Sequence, residues 1–425
     1  MPTLIVKAIK RRVYHALNLE RMSDKFGVLA LNFIFLMAYF SLESIFVNTL
    51  LLRVSGGDMQ IVLVYRAVTF VFSAVGMGIV SALSGKINSV MAIRTAGVLY
   101  AVAFAILLIG MDHLTSLMYV VGALVGAAGG FYFLGHNMLL THYTTPQNRA
   151  LGLSIMTVIQ GGMALLMPLV SGLVIGVSPG MIGYRVMFGL AIGAIIAQIS
   201  FVRKLSAVAA TPKKGQLRFA LGLVWKRLTL RLMLLLELVR GLRDGVFMFF
   251  LNIVLFEIVA SESIVGLNAF LAGGASIVAA WLYGRIATPR NRAGLVAISA
   301  CAAVGFSALL LLNMGPFTII LLSVVNAFLA MIVMNSSVNT SFDILGQDEA
   351  SRSVMTELMA IREVPMQVGR LSGIVVVGLF PATLLGYVHA MLVLSATLFA
   401  VALLLHIIRL VRENEAKEEH PNLES

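Results

Sequence analysis

The chain has 425 residues, 60% of them hydrophobic and 12% charged, with a mean hydropathy of +0.97. A water-soluble fold of that composition would expose large apolar patches, so the numbers exclude an ordinary soluble globule and imply helices whose outer faces meet lipid. The net charge of +12 is clustered between apolar runs, which argues against nucleic acid as a partner, and a lone cysteine, Cys301, excludes an internal disulfide and a cysteine metal cluster.

Residues 1–26 are basic (Lys7, Lys10, Arg11, Arg12) and read as an amphipathic helix on the cytoplasmic surface, drawn to anionic headgroups. No short apolar run with a small-residue cleavage site follows, so no cleavable signal peptide is expected. A helix needs about 20 apolar residues to cross roughly 30 Å of hydrocarbon. Twelve segments qualify: 27–52, 59–83, 91–111, 117–140, 152–177 and 184–202, then 232–256, 263–284, 293–313, 316–340, 355–379 and 386–408. They make two six-helix bundles, 27–202 and 232–408. Between these lies a linker, 203–231, with eight Lys or Arg and no acid. Residues 409–425 form a cytoplasmic tail, polar from 413 on and expected to be disordered.

With the N-terminus inside, cytoplasmic segments hold twenty-three Lys and Arg, and external segments hold only Arg53 and Arg185. That bias predicts a multi-pass protein of the cell membrane with both termini cytoplasmic. The halves also repeat weakly at an offset near 200. Gly85-Lys86-Ile87 answers Gly284-Arg285-Ile286, Arg149 answers Arg352, Ser171-Gly172 answers Ser372-Gly373, and Asn48 answers Asn252. Parallel six-helix repeats are an architecture of secondary transporters.

Twelve spans split six and six, the basic linker and this repeat resemble the major facilitator superfamily (MFS) over nearly the whole chain. Ser84-Gly85-Lys86-Ile87-Asn88 is similar to the family's Gly-rich second-to-third loop, keeping the Gly and a basic residue but lacking its Asp. Thr145-Pro146-Gln147-Asn148-Arg149-Ala150-Leu151-Gly152 resembles its Arg-containing fourth-to-fifth loop. Pro168 with Ser171-Gly172 is similar to the fifth-helix Gly-Pro motif, with Met167 in place of the Gly. The run from Phe131 to Asn137, together with Gly241-Leu242-Arg243-Asp244-Gly245, resembles an uncharacterised bacterial branch of the family. The resemblance implies an all-α membrane protein of two pseudo-symmetric six-helix bundles, with the first, fourth, seventh and tenth helices around a central cavity.

An ionisable group inside a bilayer costs about 2.5–3.5 kcal/mol on insertion scales, so each one is a site candidate. In the first span Asn32, Tyr39 and Glu43 share one helical face. Glu43 reads either as a structural ion pair with Arg66 of the second span or as a protonatable carboxylate in a transport pathway. The fourth span carries His136 and Asn137, and a membrane His reads more readily as a helix–helix hydrogen bond than as a proton carrier. The seventh opens with Glu237, Arg240, Arg243 and Asp244, which can neutralise one another at steps of three and four. Arg243 and Asp244 are candidates for a gate or substrate contact. Gly241 and Gly245 permit close helix approach. Asn335, Ser336, Asn339 and Asp343 of the tenth span are candidate cavity groups, Asp343 near the cytoplasmic end. The eleventh carries Glu363, Gln367 and Arg370 on one face, with Pro365 expected to kink it. These read as an interdomain charge network or, for Arg370, as a contact to an anionic group.

No GxxxxGK[ST] loop and no HExxH motif is present. The expected function is therefore a secondary transporter, not an enzyme, that needs no cofactor and no metal. Its partners would be a small-molecule substrate, membrane lipids and, as coupling ion, protons; a monomer is expected. Proton-coupled efflux of an amphipathic or hydrophobic compound is one reading. An anionic metabolite or lipid as substrate, and a non-transporting receptor or scaffold, are the others.

Overall fold

The computed structural model describes residues 22–83, 86–145, 148–207 and 216–419. Most of the expected surface helix at 1–26, Gly85 of the second-to-third loop, Pro146 and Gln147, and the middle of the linker lie outside these residues. Most of the described residues are helical. In chain order they form α1 (Asp24–Leu42), a π-helical turn (Glu43–Val47), α2 (Asn48–Val54), α3 (Met59–Ala82), α4 (Ser89–Ile109), α5 (Leu114–Tyr143), α6 (Arg149–Val177) and α7 (Ile182–Val202). A short helix, α8 (Gln216–Lys226), precedes α9 (Leu228–Val259), α10 (Glu262–Ile286), α11 (Arg292–Leu312) and α12 (Pro316–Leu345). The short α13 (Glu349–Ser353), then α14 (Met355–Gly378) and α15 (Leu384–Glu419) complete it.

Local chemistry starts and stops these helices. Ser23, Asn88, Ser261 and Asp348 each accept a bond from a backbone N–H of the first turn of α1, α4, α10 and α13. Pro316 opens α12, where its missing N–H costs nothing. Pro168 and Pro365 lie inside α6 and α14 without ending either helix.

Ten of the long helices, with α1, the π turn and α2 counted as one, are apolar enough to cross a membrane by composition. The two others are α9 and α14, as long but interrupted by charges. The chain is an all-α, multi-pass membrane protein. Two stretches differ from expectation. The linker contains a helix, α8, whose Ala220, Leu223 and Val224 are buried. The residues expected to form a disordered tail continue α15 as far as Glu419, with Arg409 and Glu413 paired one turn apart at 3.7 Å.

Contacts divide the chain into two compact units, Met1–Leu50 with Val71–Thr211 and Leu51–Phe70 with Pro212–Ser425. The internal repeat is visible in the packing. In the first unit α1 packs on α6 and α7, and α4 packs on α5 and α7. In the second unit α9 packs on α14 and α15, and α11 on α12 and α15. These are the same partners, six spans later.

Candidate functional site

The first unit buries a neutral polar cluster. Asn32 Oδ1 on α1 accepts from the Tyr132 hydroxyl at 2.8 Å and from Gln198 Nε2 at 3.2 Å. Asn32 Nδ2 donates to the Gln198 carbonyl at 3.3 Å, and Tyr39 Oη donates to Gln198 Oε1 at 2.7 Å. All four residues are at most 1% exposed, so these bonds replace water completely. The expected stripe of Asn32 and Tyr39 is thus a packing device joining α1 to α5 and α7. Glu43, third on the stripe, is buried and begins the π-helical turn, which shifts the helix register there. His136 is stacked against the rings of Phe33 (centroids 4.7 Å apart) and Tyr132 (5.7 Å). Its Nδ1 has no hydrogen-bond partner among the described residues, so stacking holds it instead of the expected helix–helix hydrogen bond. Asn137 is exposed.

The second unit buries ions. Glu237, fully buried on α9, forms an ion pair with Arg240, whose Nη2 lies 2.6 Å from Oε2, and Arg362 Nη1 of α14 lies 3.8 Å from Oε1. The Ser341 hydroxyl of α12 donates to the same carboxylate at 3.4 Å. Arg362 Nη2 donates to Glu363 at 3.0 Å, and Arg240 Nε lies 3.8 Å from Asp244. The result is an alternating row, Asp244–Arg240–Glu237–Arg362–Glu363, across α9 and α14. Each charge is offset by its neighbour, which lowers the cost of burying it.

Two cations stand outside the row. Arg243, 1% exposed, donates to Asn326 Oδ1 of α12 and lies 4.2 Å from the Phe247 ring centre. Arg370 reaches Gln367 Oε1 at 3.5 Å and lies 5.7 Å from the Phe70 ring centre. Neither has an ion pair among the described residues. Arg66, also in this unit, lies 5.6 Å from the Phe249 ring centre and 5.3 Å from that of Tyr65. Such contacts to ring faces partly replace the hydration of a guanidinium. Asn339 is exposed, and Asp343 binds Arg292 at 2.6 Å with Arg412 at 3.8 Å.

Glycines bring α9 and α14 together. A Cβ on Gly369 would meet the Leu238 carbonyl, and one on Gly373 the Leu242 carbonyl. A Cβ on Gly241 or Gly245 would meet the backbone of 366–370. Gly241-xxx-Gly245 and Gly369-xxx-Gly373 therefore interlock backbone to backbone. This crossing sets Arg362, Glu363 and Arg370 against the α9 charges.

Sequence reasoning missed Gln198, Asn326 and Ser341. A polar residue isolated in an apolar span was the available signal for the first two. It also missed that Thr145–Ala150 and Thr288–Ala293 share the pattern Thr-Pro-x-Asn-Arg-Ala. In both turns the Asn Oδ1 accepts the Thr N–H at 2.7 Å.

No family model matches the chain. It is 24% identical over 395 residues to the uncharacterised protein YqgE of Bacillus subtilis (strain 168), covering 90% of this chain and 89% of that one. Similar solved structures include the nucleoside transporter NupG, with TM-score 0.66 and 13% identity over 91% of this chain and 99% of that one. A bacterial homologue of the iron transporter ferroportin, in its inward-facing state, gives TM-score 0.64 and 13% identity over 91% and 98%. A bacterial metal transporter gives 0.61 and 14% over 91% and 99%. The chain has the fold of MFS-type transporters.

Proposed function

We propose that this chain is a secondary transporter that moves a small solute bearing an anionic group across the cell membrane by alternating access. The observation that carries the substrate class is the charge balance of the α9–α14 crossing. Four arginines (240, 243, 362 and 370) face three carboxylates (Glu237, Asp244 and Glu363). A surplus cation at membrane depth is costly, and an anionic group on the solute would offset it. Arg370 is the residue we assign to that contact, with Arg243 and Arg66 as further candidates.

The fold supports a transporter in general. The similar structures are named for metal, iron and nucleoside transport, so no one solute class is carried over from them. The Lys and Arg bias of the loops supports cytoplasmic termini. Glu43, buried at a π-helical turn, supports a second reading in which a proton is the coupling ion.

Flux into proteoliposomes tests both readings. A panel of organic anions and their neutral analogues should show saturable uptake or release of an anion. Arg370→Gln should lower that flux at least ~10-fold, the loss of one charge-assisted bond. Unchanged flux in Arg370→Gln would overturn the anionic assignment. Glu43→Gln with unchanged dependence on a pH gradient would remove Glu43 from coupling. Background flux for every solute in a folded preparation would favour the receptor or scaffold reading.

A further inference from the structure

The short helix α8 is basic and apolar on the same side. Its Ala220, Leu223 and Val224 enter the core of the second unit, where α8 packs on α9 and α14. The opposite side is open. Leu217, Phe219, Leu221 and Trp225 are exposed there, Trp225 to 77%. Arg218, Gly222 and Lys226, at steps of four, form a strip between Trp225 and Phe219. Along this strip lies a hollow of about 350 Å³ lined by Arg218, Phe219, Gly222, Leu223 and Lys226. Among the described residues, no heavy atom lies within 4 Å of where a Cβ on Gly222 would sit. No acid occurs between Arg203 and Arg231 to neutralise the strip.

A second observation points to the same surroundings. The chain has two tryptophans. The other, Trp281, is 57% exposed in the last turns of α10 and carries the Arg285 guanidinium 3.8 Å from its ring centre. Both tryptophans are thus exposed, Trp281 against the Arg285 guanidinium and Trp225 next in sequence to Lys226. Aromatic rings paired with cations mark the level of lipid headgroups, where the ring meets acyl chains and the charge meets phosphate.

We propose that α8 lies in the membrane–water interface and that its hollow binds the headgroup of an anionic phospholipid. Arg218 and Lys226 hold the phosphate over Gly222, and Phe219 and Trp225 flank the lipid's apolar part. A water-exposed face would leave four large apolar side chains hydrated on an eleven-residue helix. A zwitterionic headgroup would leave the two cations without net compensation. The inference rests on the chain being a membrane protein and not on what it transports.

Tryptophan quenching tests it without any transported solute. In the Trp281→Phe protein, Trp225 is the sole tryptophan. The protein is reconstituted in phosphatidylcholine vesicles containing an equal fraction of acyl-brominated lipid, either phosphatidylglycerol or phosphatidylcholine. Brominated phosphatidylglycerol should quench Trp225 at least ~5-fold more effectively, since a cation near an anionic surface contributes about that factor. Arg218→Gln with Lys226→Gln should bring the ratio to about one. Gly222→Leu puts an apolar side chain over the strip where phosphate would sit, and should also lower the ratio with both cations in place. Equal quenching by the two lipids in the starting protein would overturn the site, leaving an unselective interfacial helix. No quenching by either would place this face in water or against a protein partner. A ratio that survives Gly222→Leu would replace the hollow with diffuse attraction.

Discussion

In the first unit, the side chains that join α1 to α5 and α7 are neutral: an asparagine, a glutamine and two tyrosines, each satisfied by another. In the second unit, the side chains that join α9 to α14 are ions, alternating in sign along five residues. The neighbour pairs of the two units match, so the difference does not come from architecture. Neutral hydrogen bonds suffice to hold such helices together. Ions at membrane depth cost more than that task requires, so the alternating row in the second unit points to a role beyond packing.

Stability measurements in detergent can break or sharpen this contrast. The largest effect is expected for Glu237→Ala, which takes from Arg240 and Arg362 the carboxylate they share. Breaking a buried ion pair costs about 3–5 kcal/mol, so the melting temperature should fall further than for any change in the neutral cluster. Gly373→Ala comes next. Its methyl group meets the Leu242 carbonyl, and overpacking costs about 1–3 kcal/mol. Gly162→Ala in α6, with open space around it, should leave the melting temperature unchanged or slightly raised. Gln198→Leu, which strands Asn32 and Tyr39, should cost a similar ~1–3 kcal/mol. A Gln198→Leu effect larger than that of Glu237→Ala would reverse the comparison.

Among the changes expected to destabilise, the smallest effect lies outside the membrane, at Asp348. Burial pushes this carboxyl up, but bonds from Ser351 and the Arg227 pair outweigh that and hold it below its ordinary value. Its contribution is therefore complete above the ordinary carboxylate range and is lost as pH falls through the depressed value. Both partners are partly exposed, so the contribution is below about 1 kcal/mol. Asp348→Asn should flatten the fall in melting temperature between about pH 5 and pH 3. An unchanged slope would show that the pair contributes nothing measurable.

The membrane fold was legible because lipid imposes simple demands: long apolar runs and basic loops on one side. The charged helices stood out for the same reason, and the Glu237–Arg240–Asp244 spacing correctly indicated pairing along α9. Pairing between helices was not legible. Nothing local says that Arg362 reaches Glu237, or that Arg243 turns to Asn326, because both depend on a crossing of two backbones. Gln198 resembled any isolated polar residue until α1 and α7 were seen together. The helix at 216–226 was hidden by its charge, which read as a loop although Ala220, Leu223 and Val224 carry a helical spacing. The end of α15 was hidden likewise, since its polar residues are also good helix formers.

The interlocked glycines of α9 and α14 also define a scale. Four positions (241, 245, 369 and 373) admit no side chain without backbone displacement, so each added atom acts as a spacer of known thickness. A series from alanine through serine to valine at Gly373 would separate Glu237 from Arg362 by graded steps. Plotting turnover against melting temperature along that series would convert a fixed contact into a measured response, with distance as the independent variable.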